Sequence, residues 1–311
     1  MKKKLISIVT PCFNEEDNVI ELSNRIKKVM LMFDQYDYEH IFIDNHSVDR
    51  TFELLKLLSK SDKRIKIIRN TRNFGHIRSP YYGTIQAGGD AVIAIASDLQ
   101  EPPEVIPDMI NAWESGYKIV MIVKRVSGDT FFLRIVKRLY YKALAAMSEI
   151  PILENAPGVG LFDSKVIEIL RDFKEPYPYF RGLISEIGYP IKEIHYDQLP
   201  RLRGVSKNNL MSFYDFAMLG IINHSKVPLR MITIIGFIVG IFGLFVAIFF
   251  LLSKLFFWNT FQFGLAPILV GIFFFGGFQM FAIGLLAEYI FSIQIRVRNM
   301  PLVFEEERIN F

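Results

Sequence analysis

The chain has 311 residues, 51% of them hydrophobic, and 36 Lys and Arg stand against 32 Asp and Glu, so the net charge is only +4. The apolar fraction exceeds what a soluble domain of this length carries, which excludes a chain wholly surrounded by water. The small basic excess gathers near the most apolar segments, pointing to a membrane surface and away from nucleic acid. Cys12 is the single cysteine, which excludes an intrachain disulfide and a thiolate metal cluster.

Residues 5 to 10, LISIVT, form a β-branched run ending at Pro11, too short for a signal-peptide core and without a cleavage site. After a polar loop, Val19, Leu22, Ile26, Val29 and Met30 recur at helical spacing. HIFIDNHS repeats the plan: a strand to Ile43, a polar loop, and a helix from about Asp49 carrying Phe52, Leu54, Leu55 and Leu58. RIKIIRN predicts a third strand, SPYYGTIQAGG a helix closed by glycines, and AVIAIAS a fourth strand. Alternating strands and helices predict a mostly parallel sheet covered on both faces, with ligand loops at the carboxyl ends of the strands. The polar clusters Asn14/Glu15, Asp44/Asn45 and Asp98/Gln100 all fall at such ends and are expected to converge on one site.

In TFFLRIVKRLYYKALAAM, Phe132, Ile135, Val136, Leu139, Tyr140 and Leu144 make an apolar stripe opposite Arg134, Lys137, Arg138 and Lys142. This predicts an amphipathic helix near 130–148 lying on an anionic membrane surface, with an ordinary surface helix as the alternative. A second such segment covers 207–226. No charged residue occurs from Met231 to Ser253, or from Phe261 to Ala287. Each run exceeds the roughly 20 residues needed to cross the hydrocarbon, so two spans are expected at about 231–253 and 261–287. Lys226, Arg230, Arg296 and Arg298 flank them, whereas the linker from Lys254 to Thr260 carries one lysine and Trp258. The positive-inside rule puts both flanks and both termini in the cytoplasm. The expected division is a cytoplasmic domain over 1–225, a two-helix membrane domain over 226–295 and a cytoplasmic tail over 296–311. Small residues in GIFFFGGFQMFAIG would allow close helix approach in a homo-oligomer, or packing within one chain.

The ordered set IVTPCFNEEDNV, DNHSVDRT, RNFG, SDLQEPPE and two C-terminal apolar helices ending AEYIFSIQIRVRNMP resembles the polyprenyl-phosphate glycosyltransferases of glycosyltransferase family 2, the dolichol-phosphate mannose synthase and bactoprenol glucosyltransferase type. The resemblance covers nearly the whole chain. It implies a GT-A fold and transfer of a sugar from a nucleotide diphosphate sugar, a UDP-sugar in the first instance, to undecaprenyl or a similar polyprenyl phosphate at the cytoplasmic face of a bacterial inner membrane, with inversion. Its product would serve cell-envelope glycan modification.

A departing nucleotide diphosphate develops negative charge and calls for a divalent cation, cationic side chains, or both. Mg²⁺ and Mn²⁺ take hard oxygen ligands, commonly one or two carboxylates plus the substrate phosphates. The family's Asp-x-Asp-Leu-Gln is here Ala96, Ser97, Asp98, Leu99 and Gln100, so the resemblance makes Asp98 the metal ligand with Gln100 in support; a helix cap is the alternative for Asp98. The family's Asn-Asp-Gly-Ser is here Asp44, Asn45, His46 and Ser47, leaving Asn45 to meet the base through its amide and putting His46 in place of a glycine. In NAPGVGLFD the family's acid and arginine fall on Gly158 and Gly160. Losing a base matters little for a phosphate acceptor, which is already anionic near neutral pH with a second pKa of about 6.

Lys124 and Arg125 occupy the family's basic pair, and Arg201, Arg203, Ser206 and Lys207 match its Arg-x-x-Gly-x-Ser/Thr-Lys segment. The resemblance thus implies Asp98, Gln100, Arg201 and Lys207 in catalysis, and Pro11, Asn14, Glu15, Asp44, Asn45, Lys124, Arg125, Arg203 and Ser206 in substrate binding. The substitutions at Ala96, Asn45 and Gly158 also fit a non-catalytic member that serves as a binding partner or scaffold in polysaccharide assembly.

Overall fold

The computed structural model describes residues 3–125, 158–173, 175–197, 227–256, 265–298 and 300–311. The expected amphipathic helices near 130–148 and 207–226 lie outside the described residues, as does most of the linker between the apolar helices.

LISIVT belongs to β1 (Lys4–Cys12), which pairs in parallel with β2 (Tyr36–Asp44) on one side and β4 (Ala91–Ala94) on the other. A strand paired on both edges and covered on both faces must be apolar throughout its centre, and Ile6, Ile8 and Val9 are fully buried. Side chains alternate across the sheet: Ile6, Ile8 and Phe42 face one way, Val9, Ile41 and Ile43 the other. The first face is covered by α1 (Val19–Met30), α2 (Thr51–Ser61) and α4 (Ile106–Glu114). The predicted stripe Val19, Leu22, Ile26, Val29 and Met30 is the buried face of α1. The opposite face is covered by α3 (Gly75–Gln86), α5 (Ser164–Asp172) and α6 (Phe180–Ile187). Each fully buried aliphatic side chain in these layers is worth about 1.5–3 kcal/mol. Helix α3 begins upstream of the expected Ser79 and carries Pro80 inside it.

With β3 (Ile65–Asn70), β5 (Ile119–Lys124), β6 (Gly160–Asp163), β7 (Ile191–Tyr196) and β8 (Glu305–Ile309), the sheet has eight strands in the order β7-β5-β6-β4-β1-β2-β3-β8. Its centre is parallel, as expected, but the sheet is mixed: β6 runs antiparallel between β4 and β5, and β8 runs antiparallel to β3. Residues expected to form a tail therefore build the edge strand β8. Tyr82 donates to Glu305 at 2.6 Å, Lys56 pairs with Glu307 at 2.9 Å, and Asn310 Nδ2 donates to the carbonyls of Ser59 and Ile65, both at 2.8 Å. A charged strand such as EEERI suits a sheet edge, where outward charges block further pairing.

Two long helices precede that strand, α7 (Val227–Phe256) and α8 (Leu265–Val297). Among the described residues, Phe274–Val297 of α8 is long and apolar enough to cross a membrane, with mean hydropathy 1.5, and Val227–Gly243 of α7 is a shorter apolar stretch. Large apolar side chains stand exposed along both, including Phe237, Phe245 and Phe281.

Gly160 opens β6 where the family's arginine is expected. A Cβ there would lie far inside contact distance of the Val120 carbonyl oxygen and 3.0 Å from Met121 Sδ, so close strand approach requires glycine. Gly160→Ala should lower stability by about 1–3 kcal/mol, read as the denaturation midpoint of the full-length protein.

Candidate active site

Among the described residues, four non-glycine positions have positive φ, and three of them, Asn14 (58°), His46 (64°) and Leu99 (58°), lie in the loops after β1, β2 and β4. These strands are neighbours in the sheet, so the strained backbone gathers at one place on its carboxyl edge. Asn tolerates this conformation; His and a buried Leu do so at a cost of about 1–3 kcal/mol each, which the surroundings must offset.

The loops after β1 and β2 are laced together. Asn14 N–H donates to Ser47 Oγ at 2.9 Å, Val48 N–H to Asn14 Oδ1 at 2.9 Å, and Glu15 N–H to Thr51 Oγ1 at 2.8 Å. Pro11 sits within β1, opposite Ile43 of β2, and Glu15 accepts from Asn18 Nδ2 at 2.7 Å. Asp44, fully buried, accepts from Ser47 N–H at 3.1 Å, and its other carboxylate oxygen faces Arg69 Nε at 3.6 Å without a hydrogen bond. Burial raises the Asp44 pKa, opposed by the Ser47 hydrogen bond and the Arg69 and His46 charges.

Asn45 does not have the role expected of it. Its amide oxygen accepts from Asn70 Nδ2 (3.0 Å) and Phe74 N–H (2.9 Å), and its amide nitrogen donates to Asn73 Oδ1 (2.8 Å) and the Gly75 carbonyl (3.2 Å). An amide has four hydrogen-bonding places, and all four are taken inside the protein, so its side chain has none left for a base. These contacts also explain RNFG, whose Asn73, Phe74 and Gly75 are the partners of Asn45.

Asp98 lies past β4 and accepts from Gln100 N–H at 3.2 Å, closing a tight turn around the left-handed Leu99. It caps no helix: a short 3₁₀ turn starts at Pro103, and α4 starts at Ile106 without a side-chain cap. Glu101, which no motif singles out, is 5% exposed and accepts from Tyr196 Oη at 3.0 Å. Burial and then the charge of Asp98 raise the Glu101 pKa, while Lys124 and the Tyr196 hydrogen bond oppose the rise; burial and Glu101 raise that of Tyr196 in turn. Lys124 ends β5 in register with Tyr196 of β7, and Arg125 donates its N–H to the Tyr196 carbonyl at 3.0 Å while its guanidinium lies 3.5 Å from exposed Asp197. The charges of Asp98 and Lys124 thus both bear on Glu101.

Gly158 stands at φ +91°, with open space where a side chain would project, and Arg201, Arg203, Ser206 and Lys207 lie outside the described residues. No group of three or more His, Cys, Asp or Glu side chains forms a metal cluster among the described residues. Asp98 with Gln100 nevertheless suits a hard cation of the kind that takes one or two carboxylates and completes its shell with phosphate oxygens.

Residues 7–170 match the family model for glycosyl transferase family 2. The chain belongs to that family. It is a glycosyltransferase, 33% identical over 298 residues to an uncharacterized glycosyltransferase of Synechocystis, covering 96% of this chain and 93% of that one. It is also 33% identical over 297 residues to a prophage-derived bactoprenol glucosyl transferase of Shigella flexneri (95% and 96% covered), and 32% identical over 297 residues to a prophage bactoprenol glucosyl transferase homolog of Escherichia coli (95% and 96%). The fold is shared with glucosyl-3-phosphoglycerate synthase of Mycobacterium tuberculosis, solved with Mn²⁺, UDP and phosphoglyceric acid, at TM-score 0.50 and 18% identity over 70% of this chain and 76% of that one.

Two expectations follow. Asn45→Ala should destabilise the protein by about 2–4 kcal/mol in denaturant titration, because it strands several buried partners at once. Glu101 holds its proton more tightly folded than unfolded, so it lowers stability progressively as pH rises from its ordinary value of 4.5 through the raised one. Glu101→Gln should therefore raise the melting temperature at pH 8, with the gain vanishing near pH 4.

Proposed function

We propose that the protein moves a sugar from a nucleotide diphosphate sugar, a UDP-sugar, to undecaprenyl or a similar polyprenyl phosphate, with inversion, for modification of cell-envelope glycans. The observation that carries this reading is the alignment of 95% of the chain with a bactoprenol glucosyl transferase, and Asp98 supports it by lying in the loop after β4, next in the sheet to the strained loops after β1 and β2. UDP and Mn²⁺ accompany the protein that shares the fold, and a cation such as Mn²⁺ fits the hard-oxygen donors at Asp98.

Asp98 and Gln100 would hold Mg²⁺ or Mn²⁺, which when bound neutralises charge on the leaving diphosphate. Lys124, Arg125, Arg201, Arg203, Ser206 and Lys207 would supply phosphate contacts. The acceptor phosphate is already ionised, so a base is not needed where Gly158 replaces the family's acid. Pro11, Asn14 and Glu15 shape the donor side of the cleft by holding the loop after β1 against that after β2.

In this reading α7 and α8 both cross the inner membrane of a bacterium with both ends in the cytoplasm. The catalytic domain, 1–225, is then held at the cytoplasmic face, where segments 130–148 and 207–226 rest on lipid. At 30 and 33 residues the helices are about 45 and 50 Å long, enough to span the hydrocarbon. The glycines of α8 allow close approach to a second copy in a homo-oligomer.

The test is a donor screen with full-length protein in detergent, a short polyprenyl phosphate, Mg²⁺ or Mn²⁺, and a panel of nucleotide sugars. Metal-dependent lipid-linked sugar is expected, falling about 100-fold or more in Asp98→Ala. Absence of product from every donor, with the protein folded, would overturn the reading in favour of a non-catalytic binding partner.

A further inference from the structure

Residues 95–101 alternate in burial although β4 ends at Ala94. Ile95, Ser97, Leu99 and Glu101 are buried, whereas Ala96, Asp98 and Gln100 between them are half-buried. Asp98 and Gln100, the residues suited to a hard cation, are thus the more open ones, and Glu101 is turned into the protein. A carboxylate is a costly side chain to bury, and packing alone does not call for one.

The segment is strained between two fixed ends. Leu99 holds φ 58° at a cost of about 1–3 kcal/mol, and the bond from Gln100 N–H to Asp98 Oδ1, at 3.2 Å, is at the long end of the ordinary range. Before the turn, Ile95 N–H donates to the Val9 carbonyl at 3.0 Å and prolongs the pairing of β4 with β1. After it, Glu101 accepts from Tyr196 Oη at 3.0 Å, and Pro102 follows at once in extended backbone.

Tyr196 is itself fixed. It is buried, lies in register with Lys124 where β7 pairs with β5, and accepts at its carbonyl from Arg125 N–H at 3.0 Å. It shares with Leu99 the core on the face covered by α1, α2 and α4. In the sheet β5 and β6 lie between β4 and β7, so one hydroxyl ties the segment after β4 to a strand with which β4 does not pair. A hydrogen bond is directional where apolar contact is not, so this bond sets how Glu101, and with it the adjoining Gln100, is turned.

We propose that Tyr196 is a positioning residue for the cation site: by holding Glu101 it aims the oxygens of Gln100 and Asp98 at the ion. Glu101 supports these ligands from behind and is not one itself. The inference rests on the divalent-cation reading above.

The test titrates Mn²⁺ into the full-length protein in detergent with UDP present, reads free Mn²⁺ from its paramagnetic resonance signal, and records the melting temperature of each variant. Tyr196→Phe, which loses only the hydroxyl, should bind Mn²⁺ about tenfold or more weakly than wild type. Glu101→Gln keeps an oxygen that accepts from Tyr196 and should stay within about twofold of wild type. Tyr196→Phe combined with Glu101→Leu replaces the bonded pair by an apolar one, so it should melt no lower than wild type while its Mn²⁺ affinity falls as in Tyr196→Phe. Loss of affinity without loss of stability separates positioning from a merely structural contact. Wild-type affinity in Tyr196→Phe, or a loss in Glu101→Gln as large as in the double variant, overturns this inference and leaves the cation reading standing. A wild type that takes up no Mn²⁺ overturns the cation reading itself.

Discussion

The buried amide of Asn45 holds the carboxyl edge of the sheet together. Its four hydrogen bonds tie the end of β2 to the end of β3 and to the start of α3, and Asn45 N–H also donates to the Cys12 carbonyl at 2.9 Å. Because an unpaired buried amide costs about 1–3 kcal/mol for each group left unmet, the four partners hold the loops after β2 and β3 in one arrangement. Everything the edge presents to a ligand, from Asn14 to His46, inherits its position from that node.

Stability is given up around this node rather than gained. Three non-glycine residues in left-handed backbone, a buried Asp44 oxygen without a hydrogen-bond donor, and a Glu101 carboxyl raised by burial all occur at the ends of β1, β2 and β4. Such features persist only where the surrounding core over-determines them, and here two layers of buried aliphatic side chains on either side of β1 do so. At the opposite end of the sheet Trp113 Nε1 donates to Asp163 at 2.8 Å and Tyr36 donates to Glu114 at 2.7 Å.

The C-terminal strand joins the apolar helices to this edge. From α8 the chain passes Pro301, whose carbonyl accepts from Arg78 at 2.7 Å, and Phe304, whose carbonyl accepts from Thr71 N–H at 2.9 Å, before β8 pairs with β3. Glu306 then meets both Arg69 and His46. The segment after α8 is thus bonded to the sheet beside the loops after β2 and β3.

The amino-acid order was enough for the alternation of strands and helices, the buried stripe of α1 and the apolar C-terminal helices, because each is written in local periodicity or in a contiguous run; the fourth strand, expected over AVIAIAS, ends at Ala94, so Asp98 lies in the loop beyond it. It was enough for the family as well, since the motifs come in order along the chain. Tertiary structure alone decided that Glu305–Ile309 is a strand, since charged edge residues carry no apolar alternation, and that β6 runs antiparallel inside the sheet. It alone decided that Asn45 is spent internally, and that Glu101 faces Tyr196, 95 residues away. A side chain's remaining hydrogen-bonding capacity depends on partners brought from distant segments, and no local pattern in the chain records them.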